Sequence, residues 1–190
     1  MDAPAGAESM LSIDIFEMAQ LAQYYGLPFF GTAGATDAKF CDAQAGVVAT
    51  FQCLIAAATG SGLVHDCGSW MDHGSLASPE FMVLVNEIVD AVNHFMKGLP
   101  LNDEHLALEL IHKVGPTGNY IQESHTMEHF KKIRYSELFD RSIYAEWEKA
   151  GSKRFEQRLQ EMTLEAMQRR PKPLDEDVVR ELDRMQASWK

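Results

Sequence analysis

The chain has 190 residues, 46% of them hydrophobic and 24% charged, which suits one globular domain with a core of its own. Its 28 acidic against 17 basic side chains, a formal charge of −11, argue against a nucleic-acid surface, where phosphate contacts need clustered lysine and arginine. No stretch approaches the roughly 18 apolar residues of a membrane span, MDAPAGAESM lacks a signal-peptide pattern, and three cysteines without a CxxC read as reduced thiols of a cytoplasmic protein.

Helix punctuation is legible along the chain. Ser12 caps IDIFEMAQLAQYY, in which Ile13, Phe16 and Tyr24 recur at helical spacing, and Gly26 stops it. The apolar run LPFFG (27–31) suits a buried strand. Asp42 opens the helix AQAGVVATFQCLIAAAT, closed by Gly60, and its small residues predict close packing against a sheet. GLVHD (62–66) reads as a second buried strand. Ser78, Pro79 and Glu80 supply a cap, a first-turn proline and a first-turn acid for FMVLVNEIVDAVNHFMK, which ends at Gly98. Asn102 caps DEHLALELIHKV, ended by Gly115 and Pro116. GNYIQE (118–123) is a candidate third strand, and Thr126 a candidate cap for the next helix. The remainder reads as polar helix, with Pro171 and Pro173 before a last helix over roughly 175–188.

This order predicts an α/β fold with parallel strands, because each crossover is long and helical. Two or three such strands cannot close a barrel, and a (β/α)₈ barrel needs about 250 residues. The chain therefore reads as part of a larger sheet with a helical C-terminal extension. It completes that sheet either with the missing part of its own barrel or with another chain, as a homo-oligomer.

In parallel α/β folds the chemistry lies in the loops that come after the strands. The first such loop, GTAGATDAKFCD (31–42), has neither a P-loop nor a GxGxxG pattern. Asp42 is most simply a helix cap, and Asp37 and Lys39 are candidates either to pair at the rim or to meet a ligand. The second, HDCGSWMDHG (65–74), contains His65, Cys67 and His73, but their irregular spacing and the lack of a fourth ligand disfavour zinc. His65 and Cys67, as alternate residues of an extended chain, are expected to face one way. Nothing near Cys67 in sequence lowers its pKa, so a nucleophilic role is weak. Trp70 beside Asp66 and Asp72 offers an aromatic face and carboxylates for a quaternary ammonium, although a loop tryptophan that merely packs over the strand ends is the plainer reading. The third stretch offers Tyr120, Glu123 and His125, of which Glu123 is a candidate cation partner. His129 and KKIR (131–134) read as a solvated helix face.

Three segments together, GLPFFGTAGATDAKFCDAQAG, SGLVHDCGSWMDHGSLASPEFMVLVNEIV and GNYIQESHTMEHFKKIRYSELFDRSIYAEWEKAG, resemble the trimethylamine methyltransferase family, as does the tail RPKPLDEDVVRELDRM. The resemblance runs in the family's order from Ser12 to Met185 and covers about the C-terminal half of a family member. It implies part of a TIM (β/α)₈ barrel, residues 1–125 supplying partial barrel units and 126–190 a helical extension. It further implies transfer of a methyl group from a methylamine or quaternary amine to the Co(I) of a separate corrinoid protein, with no cofactor held tightly by this chain. Members that use trimethylamine carry pyrrolysine. Its absence here makes the chain more similar to the branch that includes glycine betaine methyltransferases. Under that resemblance Trp70, Tyr120, Asp66 and Glu123 would surround the ammonium, and Lys39, His65 or His73 would meet a substrate carboxylate. The competing readings are a catalytically inactive half-barrel that serves in assembly or corrinoid-protein binding, and a zinc-dependent methyltransferase.

Overall fold

A computed structural model describes residues 14–189. Its order is α1 (Asp14–Tyr24), β1 (Phe30–Thr32), α2 (Ala43–Ala58), β2 (Leu63–His65), α3 (Pro79–Met96), α4 (Asp103–Leu106), α5 (Leu108–Val114), α6 (Ser124–His129), α7 (Tyr144–Lys149), α8 (Phe155–Gln168) and α9 (Glu176–Ala187). The expected cap at Ser12 lies outside the described residues. Among the described residues no helix is long and apolar enough to cross a membrane.

The centre is one parallel crossover. β1 and β2 pair in parallel, with Phe30 opposite Leu63, Gly31 opposite Val64 and Thr32 opposite His65, and α2 connects them. Asp42 starts α2 as expected, its carboxylate accepting from the N–H groups of Gln44 and Ala45 at 3.0 and 3.2 Å. Ser78 starts α3, its hydroxyl accepting from the Phe81 N–H at 3.3 Å. Ala45, Ala49, Cys53 and Ala56 of α2 are buried with Phe81, Leu84, Val85, Ile88 and Val92 of α3. The small side chains of α2 let these two helices approach closely, and the bulk of the core comes from α3. α8 adds Leu159 to the same cluster. Arg134 fastens the intervening segment to α3: its guanidinium donates to the carboxylates of Asp90, at 2.6 Å, and of Glu87, and to the Glu87 carbonyl at 3.2 Å.

The sheet carries helices on one face. On the other, Phe30 and Leu63 stand 59% and 62% exposed side by side.

Several expectations are corrected. The first strand is Phe30–Thr32, displaced toward the glycine-rich loop from the predicted 27–31. The single helix expected over 103–114 is broken at Ala107, which adopts the left-handed conformation (φ 48°, ψ 34°) and separates α4 from α5. Residues 118–123 form turns and no strand: the Asn119 side chain accepts from the Ile121 N–H at 2.8 Å, satisfying locally a donor that a strand would give to a neighbour. α6 begins at Ser124, with Glu123 and not Thr126 at its cap position. The C-terminal region is less continuously helical than expected, since 133–143 is irregular.

Two glycines of positive φ differ in what surrounds them. Gly68 has φ +76°, and a Cβ there would lie 2.9 Å from the Met82 Cα and 3.1 Å from the Val85 Cβ. Gly98 also has a positive φ, +64°, but a Cβ there would meet nothing within 4 Å. Gly98→Ala is therefore expected to cost only the left-handed strain of about 1–2 kcal/mol. Gly68→Ala adds overpacking of about 1–3 kcal/mol. Denaturant unfolding of both variants checks this, and equal losses would contradict it.

Candidate functional site

The loops after β1 and β2 are tied to each other backbone to backbone. The Gly68 N–H donates to the Gly34 carbonyl at 2.8 Å, Ala33 N–H to the His65 carbonyl at 3.3 Å, and Thr36 N–H to the Trp70 carbonyl at 3.0 Å. Gln52 of α2, fully buried, accepts from the Ala35 N–H at 3.0 Å. Met71 is fully buried and exchanges two backbone hydrogen bonds with Leu76, at 2.8 and 3.1 Å, which closes the second loop on itself. Burial of Met71 leaves its neighbour Trp70 half exposed. Gly74 lies against the Trp70 ring, so close that a Cβ there would touch it at 3.5 Å.

Charged side chains cross between the loops in two pairs. Lys39 donates to the Asp37 carbonyl at 2.8 Å and meets the Asp72 carboxylate at 3.2 Å. Asp37, largely buried, faces His73 Nδ1 at 3.5 Å. Lys39 thus binds the backbone of Asp37 and the carboxylate of Asp72, where the sequence left open whether it pairs with Asp37 or meets a ligand. The Ser75 hydroxyl donates to the Asp72 carboxylate at 2.8 Å. That bond first, then the one from Lys39, holds the Asp72 carboxyl below the usual aspartate range.

His65 and Cys67 do not face one way. His65 lies on the uncovered face of the sheet, its ring 4.3 Å from that of Phe30, its Nε2 2.9 Å from the Thr32 hydroxyl and its Nδ1 against the Asp66 carboxylate. Cys67 lines a cavity of about 180 Å³ with Cys53, Ala33 and Val64. The reason is Asp66, whose φ of 65° turns the chain and ends the alternation on which the expectation rested. Among the described residues no group of three or more His, Cys, Asp or Glu is placed to hold a metal ion.

The Cys67 thiol is also not as the sequence suggested. A hydrogen bond from the Cys53 thiol holds it down to about 7, against the opposing effects of burial and Asp66. The same bond, together with burial, pushes Cys53 up. Sequence reasoning missed this pair because Cys53 is on α2. Its one signal was a cysteine at 53 on the buried face of a helix made largely of small and apolar residues.

Tyr120 and Glu123 belong to a second assembly. Lys113 of α5 takes up the Glu123 carboxylate at 2.8 Å, so a ligand cation there must compete with an ammonium already in place. Tyr120 is partly exposed, and its carbonyl accepts from the Glu123 N–H at 3.1 Å. Beside them His125 stacks on His129 at 4.2 Å, His105 meets the same ring at 5.0 Å, and Glu104 approaches His129 Nε2 at 3.1 Å. His129 is therefore a packed ring and not part of a solvated face.

Asp72 supplies a pH test of the loop. Its folded pKa is depressed, so the stabilisation it gives is present above its unfolded pKa and is lost as pH falls through the folded one. Ser75→Ala is expected to raise the Asp72 titration toward the ordinary aspartate range, read by carboxyl NMR; an unchanged midpoint would contradict the assignment of Ser75 as the main cause.

The sequence that builds these two glycine-tied loops is shared with known proteins. The profile of the family described as trimethylamine methyltransferase (MTTB) matches residues 3–188. Trimethylamine methyltransferase MttB of Desulfitobacterium hafniense is 34% identical over 179 residues, 94% of this chain and 36% of its own length. MttB1 of Methanosarcina mazei is 32% identical over 181 residues, 95% of this chain and again 36% of its own length. A glycine betaine methyltransferase of Desulfitobacterium hafniense is 34% identical over 132 residues, 69% of this chain and 28% of its own. The chain thus spans little more than a third of the length of the trimethylamine relatives. It belongs to the trimethylamine methyltransferase family.

Proposed function

We propose that this chain corresponds to the C-terminal portion of a methyltransferase that moves a methyl group from a quaternary amine, such as a betaine, to the Co(I) of a corrinoid protein. The architecture proposed is a TIM (β/α)₈ barrel, with residues 1–125 as barrel units and 126–190 as a helical extension. The parallel pair β1–β2, its helix-covered face and its uncovered face support that reading. The remaining strands would cover Phe30 and Leu63. Both trimethylamine and glycine betaine methyltransferases are among the relatives. The betaine side is preferred because this sequence has standard residues only, whereas the family resemblance implies pyrrolysine in members that use trimethylamine.

The observation that carries the proposal is the pair of tied loops after adjacent parallel strands, where Trp70 presents a half-exposed ring on the same loop as Asp66 and Asp72. A quaternary ammonium cannot hydrogen bond through its nitrogen, so recognition falls to an aromatic face and nearby negative charge. Lys39, exposed at the rim, and the His65 and His73 rings are the groups proposed to meet a substrate carboxylate. In the reaction the carbon–nitrogen bond breaks with its electron pair going to nitrogen. The leaving group is a neutral tertiary amine, and no general acid is required. The protein's remaining task is to position the methyl group and to exclude water. The methyl acceptor is carried by the partner protein, and no residue of this chain is assigned as its ligand.

Methyl transfer from a panel of betaines and methylamines to a Co(I) corrinoid protein tests the reading, run on this chain and on a version extended to the length of its relatives. The extended protein is expected to be active with at least one quaternary amine. Trp70→Ala should weaken its binding by about 0.5–2 kcal/mol, up to roughly 30-fold in Kd. Full activity of that variant would refute the pocket. An extended protein that binds the corrinoid protein but transfers no methyl group would favour an assembly role.

A further inference from the structure

Cys53 and Cys67 stand apart from the ionic network of the loops. Cys67 is exposed at the start of the β2 loop, whereas Cys53 is buried on the inner face of α2. Both line the same cavity of about 180 Å³, with Ala56, Val64 and Val92. The chain is tight around them: a Cβ built on Gly34 would lie 3.1 Å from the Cys67 Cα and 3.3 Å from the Cys53 Sγ. The Cys53 sulfur and the Cys67 backbone thus close on one point of the Gly34 turn, and both residues open into the same small cavity.

We propose that Cys53 and Cys67 form a redox-sensitive thiol pair, in which a hydroperoxide oxidises exposed Cys67 and buried Cys53 closes it into an intramolecular disulfide. The assignment of roles rests on access and charge. Cys67 is the thiol that solvent reaches, and its thiolate is favoured by the Cys53 donor. Cys53 keeps its proton and is screened from oxidants until its neighbour has reacted. This is the arrangement of a sensing thiol with a resolving thiol beside it. Cys41, pushed up to about 11 chiefly by burial, lacks that activation.

The chemistry balances with hydrogen peroxide. The Cys67 thiolate attacks one peroxide oxygen, the O–O bond breaks, and the displaced hydroxide takes up a proton and leaves as water. Cys67 is then a sulfenic acid. Cys53 sulfur attacks the Cys67 sulfur, the S–O bond breaks, and the hydroxide departs as a second water with the Cys53 proton. Two thiols lose two electrons in all, and one peroxide is reduced to two waters. The new bond would fasten the start of the β2 loop, next to Asp66 and Gly68, to α2. The proposal is independent of the methyl-transfer reading.

The test exposes the reduced chain to hydrogen peroxide, blocks remaining thiols by alkylation and maps the peptides. The expected product has lost two hydrogens, contains a Cys53–Cys67 linkage and retains an alkylatable Cys41. In parallel, the rate of iodoacetamide alkylation at Cys67 is measured against pH. Its midpoint should lie near 7 in the native chain and rise toward the ordinary thiol value of about 8.5 in guanidinium chloride. Cys53→Ser, which preserves volume, and Cys53→Ala should both abolish the linkage and leave a sulfenic acid on Cys67 that dimedone traps. The proposal is overturned by any of three results: a native midpoint equal to the denatured one, oxidation of Cys41 as fast as Cys67, or sulfinic acid or intermolecular disulfides without the 53–67 linkage.

Discussion

The hydrogen bond from the Gly68 N–H to the Gly34 carbonyl, 2.8 Å long, is the constraint on which the functional end of this chain depends. It requires two backbones to meet where any side chain would intrude. Both glycines have positive φ, and a Cβ on Gly34 would press on Val85, Cys67 and Cys53, one on Gly68 on Met82 and Val85. Val85 of α3 thus touches both loops at once. The α2–α3 core sets the height of the loops above the sheet, and the glycines let them close on each other. The rest of this end depends on that closure: the Thr36–Trp70 bond, the burial of Met71, and the crossed pairs of Lys39 with Asp72 and His73 with Asp37.

The polar groups at this end are largely held by one another. Gln52 serves the Ala35 N–H from within the core, Ser75 and Lys39 serve Asp72, and His65 serves the Thr32 hydroxyl while lying against Asp66. Such mutual fixing is what a binding site needs if its geometry is to exist before the ligand arrives. Trp70 differs from its neighbours, with its backbone tied by the Thr36 bond and its ring half exposed. An aromatic face on a rigid mount, in a loop that also carries Asp66 and Asp72, suits a cation that carries no hydrogen-bond donor.

Helix boundaries were largely legible because caps and stops are local chemistry. Asp42, Ser78 and Asn102 cap as their side chains predict, and Gly60 and Gly98 come just after helix ends. The break at Ala107 was not legible, since alanine carries no tendency toward a left-handed conformation. The false strand at 118–123 failed for the opposite reason, because Asn119 answers its own backbone locally. Of the site, the two loops and the prominence of Trp70 were visible from position alone. The partners were not. Lys113 takes Glu123, Asp72 takes Lys39, and Cys53 meets Cys67 through contacts between separate elements that no spacing rule encodes. His65 and Cys67 diverge because one residue between them, Asp66, leaves the extended region.

The central claim is that a quaternary ammonium binds between these two loops. Amide NMR of the isotopically labelled protein, extended to the length of its relatives and titrated with glycine betaine, tests it most directly. Binding between the loops predicts saturable shifts concentrated at residues 34–39 and 66–74. Shifts confined instead to the Lys113–Glu123 region, or to the apolar groove of about 700 Å³ between α2, α3 and α8, would contradict it.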